Sequence, residues 1–171
     1  VVCETNVDLA KQVATKIETL GQKSYASQID VRKSDQCEQL IKKTIEIMGS
    51  IDIIVCCAGV GGFVHRGQST EDLGIENISE ADWDLTIDVN LKGVFLCNRA
   101  VAPYFKKKKY GKIINISSLA GRKGIAWIPH YSASKAGVIV LTQAVSLQLA
   151  PYNINVNTVC PGVIKTAILD K

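Results

Sequence analysis

Apolar and polar residues follow two different periods along the chain, and these periods predict helices and strands in regular succession. Segments with apolar residues every three or four positions predict amphipathic helices, and short continuous apolar runs predict buried strands. Glycines and polar capping residues mark the ends of several segments. The predicted elements are a strand tail at 1–3, a helix at 7–20, a strand at 25–31, a helix from its capping residue Ser34 to Gly49, a strand at 51–57, a helix at 80–105, a strand at 112–116, a helix at 131–150 and a strand at 154–159.

The alternation of strands and helices predicts an α/β fold. In such a fold a doubly wound parallel sheet carries helices on both faces, in three α/β/α layers. The run at 51–57 is apolar throughout, as expected for a strand buried on both faces. We predict one domain over residues 1–171, a length at which folding buries roughly 70% of the unfolded chain's surface. Ligands of such folds bind beyond the carboxyl ends of the strands, so we expect the chemistry there.

The composition narrows the class of protein. The chain is 47% hydrophobic and 21% charged with a net charge of +4, which is typical of a globular domain. The lysine run at 106–109 could contact nucleic acid, but without interleaved aromatic residues it is more typical of a solvated helix C-terminus. No uninterrupted apolar stretch reaches the ~18 residues of a membrane span, and no secretory signal is visible.

The six cysteines form no CxxC pair and no zinc-type Cys/His cluster, so neither a metal site nor a disulfide framework is predicted. Cys56 and Cys57 lie in an apolar run and are predicted to be small buried residues. This usage of cysteine indicates a reducing compartment. We therefore expect a cytoplasmic protein that binds neither nucleic acid nor a membrane.

Tyr131 and Lys135 stand four residues apart on one predicted helix face. A free phenol has a pKa of about 10 and acts as a base near neutrality only after losing about three units, roughly 4 kcal/mol. One cation about 4 Å away supplies about that much at an effective dielectric of 20. The alternative is a packed aromatic residue beside a surface lysine, and the pair alone does not decide between them.

Three sequence motifs surround and include this pair. Residues 114–118 are Ile-Asn-Ile-Ser-Ser, residues 131–137 are Tyr-Ser-Ala-Ser-Lys-Ala-Gly, and residues 155–162 are Asn-Val-Asn-Thr-Val-Cys-Pro-Gly. In this order and spacing they resemble the short-chain dehydrogenase/reductase family, and the match is collinear over nearly the whole chain. The resemblance implies a Rossmann-type fold and an NAD(P)-dependent oxidoreductase that interconverts a secondary alcohol and a ketone.

The resemblance also implies a role for each matching catalytic residue. Tyr131 would exchange a proton with the substrate oxygen while hydride moves to or from the nicotinamide, and Ser118 would hydrogen-bond that oxygen. Lys135 would assist the tyrosine and hold the nicotinamide ribose, and Asn90 would anchor a water of the proton relay. Ser117 is the competing serine, and the thirteen-residue interval to Tyr131 favours Ser118.

Cofactor contacts are implied at the strand ends. Glu4 would accept the adenosine ribose hydroxyls and repel a 2′-phosphate, which favours NAD over NADP. Asp30 and Val31 would meet the adenine, and the Pro-Gly loop at 161–166 would meet the nicotinamide. Cys56 and Cys57 replace both asparagines of the family's Asn-Asn-Ala-Gly turn. This replacement puts in doubt the hydrogen bonds by which those asparagines stabilise the strand, here the one predicted at 51–57. The predicted cofactor set is Glu4, Asp30, Val31, Cys57, Ala58, Gly59, Asn90, Tyr131, Lys135, Pro161, Gly162, Ile164 and Thr166.

The family's glycine-rich TGxxxGxG segment and its last strand have no counterpart in residues 1–171. We therefore expect a domain incomplete at both ends and an isolated chain without enzyme activity. The resemblance implies a homodimer or homotetramer, and the segment at 60–79 is a lid, an oligomer contact or a tolerated insertion. Two other functions stay open, an NADPH-dependent 3-oxoacyl-[acyl-carrier-protein] reductase and a non-catalytic nucleotide-binding homologue.

Overall fold

The structure is a computed structural model that describes residues 1–61 and 74–164. Strands and helices alternate through these residues, which confirms the predicted order of elements. Short 3-10 turns occupy residues 75–77, 119–121 and 150–152. The elements are β1 (Val2–Glu4), α1 (Val7–Thr19), β2 (Ala26–Gln28), α2 (Ser34–Met48), β3 (Ile53–Cys56), α3 (Glu80–Ile87), α4 (Gly93–Lys108), β4 (Gly111–Ile116), α5 (Pro129–Leu149) and β5 (Ile154–Val159).

Every strand pairing in the described residues is parallel, as predicted. Strand β1 pairs with β2, with Glu4 opposite Gln28. Strands β3, β4 and β5 form a second sheet in that order. Its register places Cys56 opposite Asn115 and Ile116 opposite Val159. Because parallel strands need crossover connections, helices lie between them in sequence, and within each sheet the carboxyl ends reach the same edge. This arrangement is that of a three-layer α/β/α fold.

The main core lies between α4, α5 and the three-stranded sheet. Val101 and Phe105 of α4 and Ile113 of β4 are completely buried, and Leu149 of α5 is 2% exposed. A Cβ at Gly111 would lie 2.3 Å from the Phe105 ring, so glycine at the start of β4 lets this ring pack against the strand. Burying such a ring contributes about 1.5–3 kcal/mol. The core thus fixes α4 and α5 against the strands that carry the predicted site.

Strand β3 and the cap of α2 differ from prediction. The predicted strand at 51–57 is shorter, and Ile53 and Val55 are each 54% exposed, so burial on both faces was wrong. Alternate side chains leave opposite faces of a strand, and the described structure covers only the face of Cys56. The capping residue of α2 is Lys33, and Ser34 lies inside the first turn, where its hydroxyl bonds Glu38 at 3.1 Å instead of the backbone.

The predicted helix at 80–105 is interrupted. Ser79 caps α3 by accepting a hydrogen bond from the Asp82 N–H at 3.1 Å, and a π-helical turn at 88–92 separates α3 from α4. A π turn inserts one residue into the helical repeat and rotates the residues around it. Here it turns Asn90 fully inward, at 0% exposed. The lysines at 106–108 form the exposed last turn of α4, which confirms their interpretation as a solvated helix end.

Helix α5 presents its polar residues to the protein interior and several apolar residues to solvent. With the turn that follows, it is long and apolar enough in composition to cross a membrane, a test that core helices also pass. Its buried residues include Ser134 at 0% and Thr142 at 3% exposed, whereas Val140 is 64% and Leu147 78% exposed. The buried polar side is the one that carries the predicted site.

Candidate active site

Helix α5 brings Tyr131 and Lys135 together, as their spacing predicts. Pro129 begins this helix, where its fixed φ and missing N–H are well tolerated. The Lys135 ammonium lies 5.6 Å from the centre of the Tyr131 ring. It also donates to the Ile116 carbonyl, at the carboxyl end of β4, at 3.1 Å. Lys135 is only 5% exposed, and burial lowers the pKa of its ammonium. A desolvated cation beside a phenol stabilises phenolate character there.

The two adjacent serines are in different environments. Ser117 is 3% exposed, and its hydroxyl donates to the Lys135 carbonyl at 2.7 Å. Ser118 is half-buried and begins the 3-10 turn at 119–121, where its oxygen accepts from the Ala120 N–H at 3.1 Å. The Ser118 hydrogen is therefore available to a substrate oxygen. This contrast favours Ser118 as the substrate-binding serine, in line with the interval to Tyr131.

The turn after Ser118 packs directly on α5. A Cβ at Gly121 would lie 2.6 Å from the carbonyl carbon and 2.7 Å from the carbonyl oxygen of Lys135. Real Cβ atoms do not approach backbone so closely, so only glycine permits this contact. The turn that positions Ser118 is thereby fixed against the backbone of the predicted catalytic lysine.

Asn90 connects the end of β3 to α5. Its amide oxygen accepts from the Val60 N–H at 2.8 Å, and its amide nitrogen donates to the Val60 carbonyl at 3.1 Å and to the Ser134 hydroxyl at 3.2 Å. Next to it, a Cβ at Gly59 would lie 3.2 Å from the Asn90 amide oxygen and 3.5 Å from the Lys135 ammonium. The bare backbone at Gly59 therefore lies close to both Asn90 and the Lys135 ammonium. The water-anchoring role of Asn90 stays a prediction.

Cys56 and Cys57, which precede Gly59, differ in their exposure to solvent. Cys56 is buried as predicted, but Cys57 is exposed, because consecutive side chains leave opposite faces of a strand. Other asparagines form a hydrogen-bond network nearby. The side-chain amides of Asn98 and Asn115 bond each other reciprocally at 2.9 and 3.2 Å, and Asn115 also donates to Thr142 at 3.0 Å. This network joins α4, β4 and α5 behind the site.

The residues predicted to meet the adenosine lie at the carboxyl ends of β1 and β2. The Asp30 carboxylate pairs with the Arg32 guanidinium at 2.7 Å. The hydrogen bonds that Arg32 donates to it hold the pKa of the Asp30 carboxyl below its usual value. Val31 packs against Gly93, and a Cβ at Gly93 would lie 2.7 Å from a methyl group of Val31. Glu4 is exposed, and one of its oxygens accepts from both the N–H and the hydroxyl of Thr5, each at 2.8 Å. Sequence reasoning missed Arg32, whose position two residues after Asp30 was the available signal.

The loop after β5 approaches the turn that carries Ser118. The Pro161 carbonyl accepts from the Leu119 N–H at 2.9 Å, and Gly162 lies beside the Leu119 side chain. Ile164 is 58% exposed. Thr166, the other residue predicted in this loop, and the segment 62–73 lie outside the described residues. Within the described ranges, no group of three or more His, Cys, Asp or Glu side chains is arranged to hold a metal ion.

Comparison with known proteins identifies the class. The family model for short chain dehydrogenases matches residues 1–171. A 3-oxoacyl-[acyl-carrier-protein] reductase of Staphylococcus epidermidis is 38% identical over 157 residues, which cover 92% of this chain and 61% of that protein. The structure of NAD+-bound xylitol dehydrogenase matches with a TM-score of 0.88 at 25% identity, covering 98% of this chain and 61% of the other. A gluconate 5-dehydrogenase from Burkholderia cenocepacia, in complex with NADP and tartrate, matches with a TM-score of 0.86 at 29% identity, covering 98% and 62%.

The parallel strands and the helices between them form a Rossmann-type fold. The chain belongs to the short-chain dehydrogenase/reductase family. It spans about three-fifths of the length of the relatives it matches, 61% in the reductase named above.

Proposed function

We propose that the protein is an NAD(P)-dependent oxidoreductase that interconverts a secondary alcohol and a ketone through Ser118, Tyr131, Lys135 and Asn90. The observation that carries the proposal is the buried Lys135 ammonium, which lies 5.6 Å from the centre of the Tyr131 ring and close to the bare backbone of Gly59. A lysine that is 5% exposed, with a pKa lowered by burial, is costly for the fold. Such an arrangement is typical of a functional site.

The chain's own residues supply the proton transfer. In alcohol oxidation the Tyr131 oxygen takes the hydroxyl proton of the substrate, while a hydride leaves the carbinol carbon and the C–O bond becomes a carbonyl. In ketone reduction the same hydroxyl returns the proton. The nicotinamide, when bound, accepts or supplies the hydride. Ser118 donates to the substrate oxygen and aligns it with Tyr131, and Lys135 stabilises the phenolate through its charge.

The cofactor would be held along the shared edge of the strands. Glu4 and Asp30 would meet the adenosine, Gly59 and Lys135 the nicotinamide ribose, and Pro161 the nicotinamide side. Glu4 stands where the family resemblance places the acidic residue that meets the adenosine ribose, and Thr5 holds its carboxylate, so we propose NAD as the preferred cofactor.

Replacing Glu4 with alanine in the full-length protein tests this preference. Without the carboxylate, a 2′-phosphate is no longer repelled and the ribose hydroxyls lose an acceptor. We expect the ratio of kcat/KM for NAD to that for NADP to fall at least about tenfold, or 1.4 kcal/mol. Asp8→Ala, which removes an exposed carboxylate from the adjacent first turn of α1, is the matched control and should leave the ratio unchanged. A wild-type preference for NADP would contradict the proposal.

The serine assignment has a separate test. Ser118→Ala removes one hydrogen bond to the substrate oxygen and should lower kcat/KM about tenfold or more. Ser117→Ala removes a buried bond to the Lys135 carbonyl, so it should lower the melting temperature while kcat/KM stays within about threefold. Steady-state kinetics and thermal melts of both full-length variants decide the assignment. The reverse pattern would make Ser117 the substrate-binding residue.

We also propose a homodimer or homotetramer in the cytoplasm. Val140 and Leu147 leave an apolar face of α5 exposed, at 64% and 78%. A face of this kind on a long helix suits a second copy of the chain. All six cysteines are free thiols, which suits a reducing compartment. A full-length protein that sediments only as a monomer would contradict the assembly.

A second candidate function is reduction of a 3-oxoacyl-[acyl-carrier-protein], favoured by the name of the Staphylococcus epidermidis relative. A substrate panel on the full-length protein, followed by the absorbance of reduced nicotinamide, separates the two. It should include small secondary alcohols, polyols and 3-oxoacyl thioesters. Turnover confined to the thioesters with NADPH would favour the second function. Turnover of none of them with either cofactor would favour a non-catalytic homologue.

A further inference from the structure

We propose that Ser134 is a positioning residue that holds the cofactor turn at Gly59 and Val60 against α5 through the side chain of Asn90. The inference rests on the function proposed above, because it concerns how the same site is kept in register. Ser134 lies one residue before Lys135 and is completely buried, at 0% exposed. It belongs to none of the predicted catalytic or cofactor positions.

The hydroxyl of Ser134 has a defined direction. It donates its hydrogen to the Tyr131 carbonyl at 2.7 Å and accepts from the Asn90 amide nitrogen at 3.2 Å. A serine hydroxyl carries one hydrogen, and here the backbone of α5 uses it. Toward Asn90, Ser134 therefore offers only oxygen lone pairs.

This direction selects one of the two orientations of the Asn90 amide. In the observed orientation the amide nitrogen faces the oxygens of Ser134 and Val60, and the amide oxygen faces the Val60 N–H at 2.8 Å. In the flipped orientation the amide oxygen would face two oxygens and the amide nitrogen would face an N–H, so all three bonds would be lost. Ser134 thus favours the orientation in which Asn90 pairs both backbone groups of Val60.

The result is a continuous chain of hydrogen bonds from α5 to the turn after β3. Gly59 in that turn lies beside the Lys135 ammonium, to which a Cβ there would be 3.5 Å distant. Without the Ser134 oxygen, one N–H of the fully buried Asn90 amide loses its acceptor, which is an unfavourable state. We expect the turn to loosen relative to Lys135, which weakens cofactor binding and leaves proton transfer at Tyr131 intact.

The test uses the full-length protein. Ser134→Ala should raise the Kd of reduced nicotinamide cofactor, measured by its fluorescence, about tenfold, the effect of one hydrogen bond. The KM for cofactor should rise equally, kcat at saturating cofactor should stay within about threefold, and hydrogen exchange at the Val60 amide should accelerate. Ser134→Thr, which keeps the hydroxyl, should restore the Kd if it folds. Ser146→Ala is the control, because Ser146 makes the same 2.7 Å bond to a carbonyl three residues earlier on α5 but is only half-buried and lies away from Asn90.

A double-mutant cycle separates positioning from general destabilisation. If Ser134 acts through Asn90, then Ser134→Ala in an Asn90→Ala background should leave the cofactor Kd within about twofold, since the shared interaction is already gone. Additive effects would overturn the inference, and so would an unchanged Kd and Val60 exchange in Ser134→Ala. If the wild-type protein binds no nicotinamide cofactor, the proposed function fails. Exchange at Val60 would still test the link to Ser134 in that case.

Discussion

The Tyr131→Phe variant of the full-length protein is expected to lose about 10³-fold or more in kcat, because general acid–base catalysis by one positioned group contributes roughly 10²–10⁴-fold. The substitution removes only the phenolic oxygen, so the ring beneath the Lys135 ammonium and the start of α5 are retained. The Kd for cofactor should therefore change little. Steady-state kinetics and cofactor binding, measured on the same preparation, check both expectations.

The chain offers a matched control at the far end of the same helix. Tyr152 follows α5 and has the ammonium of Lys106 4.9 Å from its ring centre, so it shares the pairing of a tyrosine with a lysine but lies apart from the site. Tyr152→Phe should keep kcat within about twofold, because this residue lies apart from the site and a surface substitution changes stability little. Full activity in Tyr131→Phe would show that Tyr131 does not transfer the proton. Only the fold of the protein would then be established.

The Lys135→Met variant is expected to lose activity without losing stability. The Lys135 ammonium lies 5.6 Å from the centre of the Tyr131 ring. At an effective dielectric of 20, two unit charges separated by roughly that distance interact with about 3 kcal/mol, which corresponds to roughly 10²-fold in rate. Methionine fills a similar volume and carries no charge that must be desolvated. We therefore expect kcat to fall about 10²-fold while the melting temperature at pH 7 stays equal or rises.

The pH dependence of this stability difference has a definite sign. Burial lowers the pKa of Lys135 in the folded state, so the folded protein binds this proton less readily than the unfolded chain does. The buried charge of Lys135 therefore lowers the free energy of unfolding. This loss of stability is complete below the pKa that Lys135 has in the folded protein, and it disappears as the pH rises through the pKa of about 10.4 in the unfolded chain. The advantage of Lys135→Met should shrink over that range. Lys106→Met, at an exposed lysine, is the control. A large loss of stability at pH 7 would show that Lys135 is needed for the fold.

The order of elements was predictable because periodicity reports which residues face the core. Strand β5 agrees with its predicted bounds, and the parallel pairing follows from the alternation with helices. The break at 88–92 was not predictable, because the apolar spacing continues through it. The π turn contains Asn90, whose side chain bonds the backbone of Val60, 30 residues earlier in the chain.

Part of the site was predictable for the same reason and part was not. Tyr131 and Lys135 face each other because four residues make about one helical turn. The partners of Ser134 and Asn115 come from other elements, and the sequence carries no signal of which side chains will meet across the interior. The exposure of Cys57 and Val55 likewise depends on which faces of β3 are covered, and a continuous apolar run does not contain that information.

The contact of Gly121 with Lys135 has a consequence for how substrate preference can vary. With no space for even a methyl group at Gly121, a side chain there would push the turn at 119–121 away from α5, so substitution at this point would disturb the packing of the turn that begins at Ser118. Substitutions outside this contact, such as at Trp127 in the connection to α5, which is 51% exposed, leave that packing unchanged. An engineer seeking a new alcohol would do best to diversify 122–128 and leave 117–121 untouched.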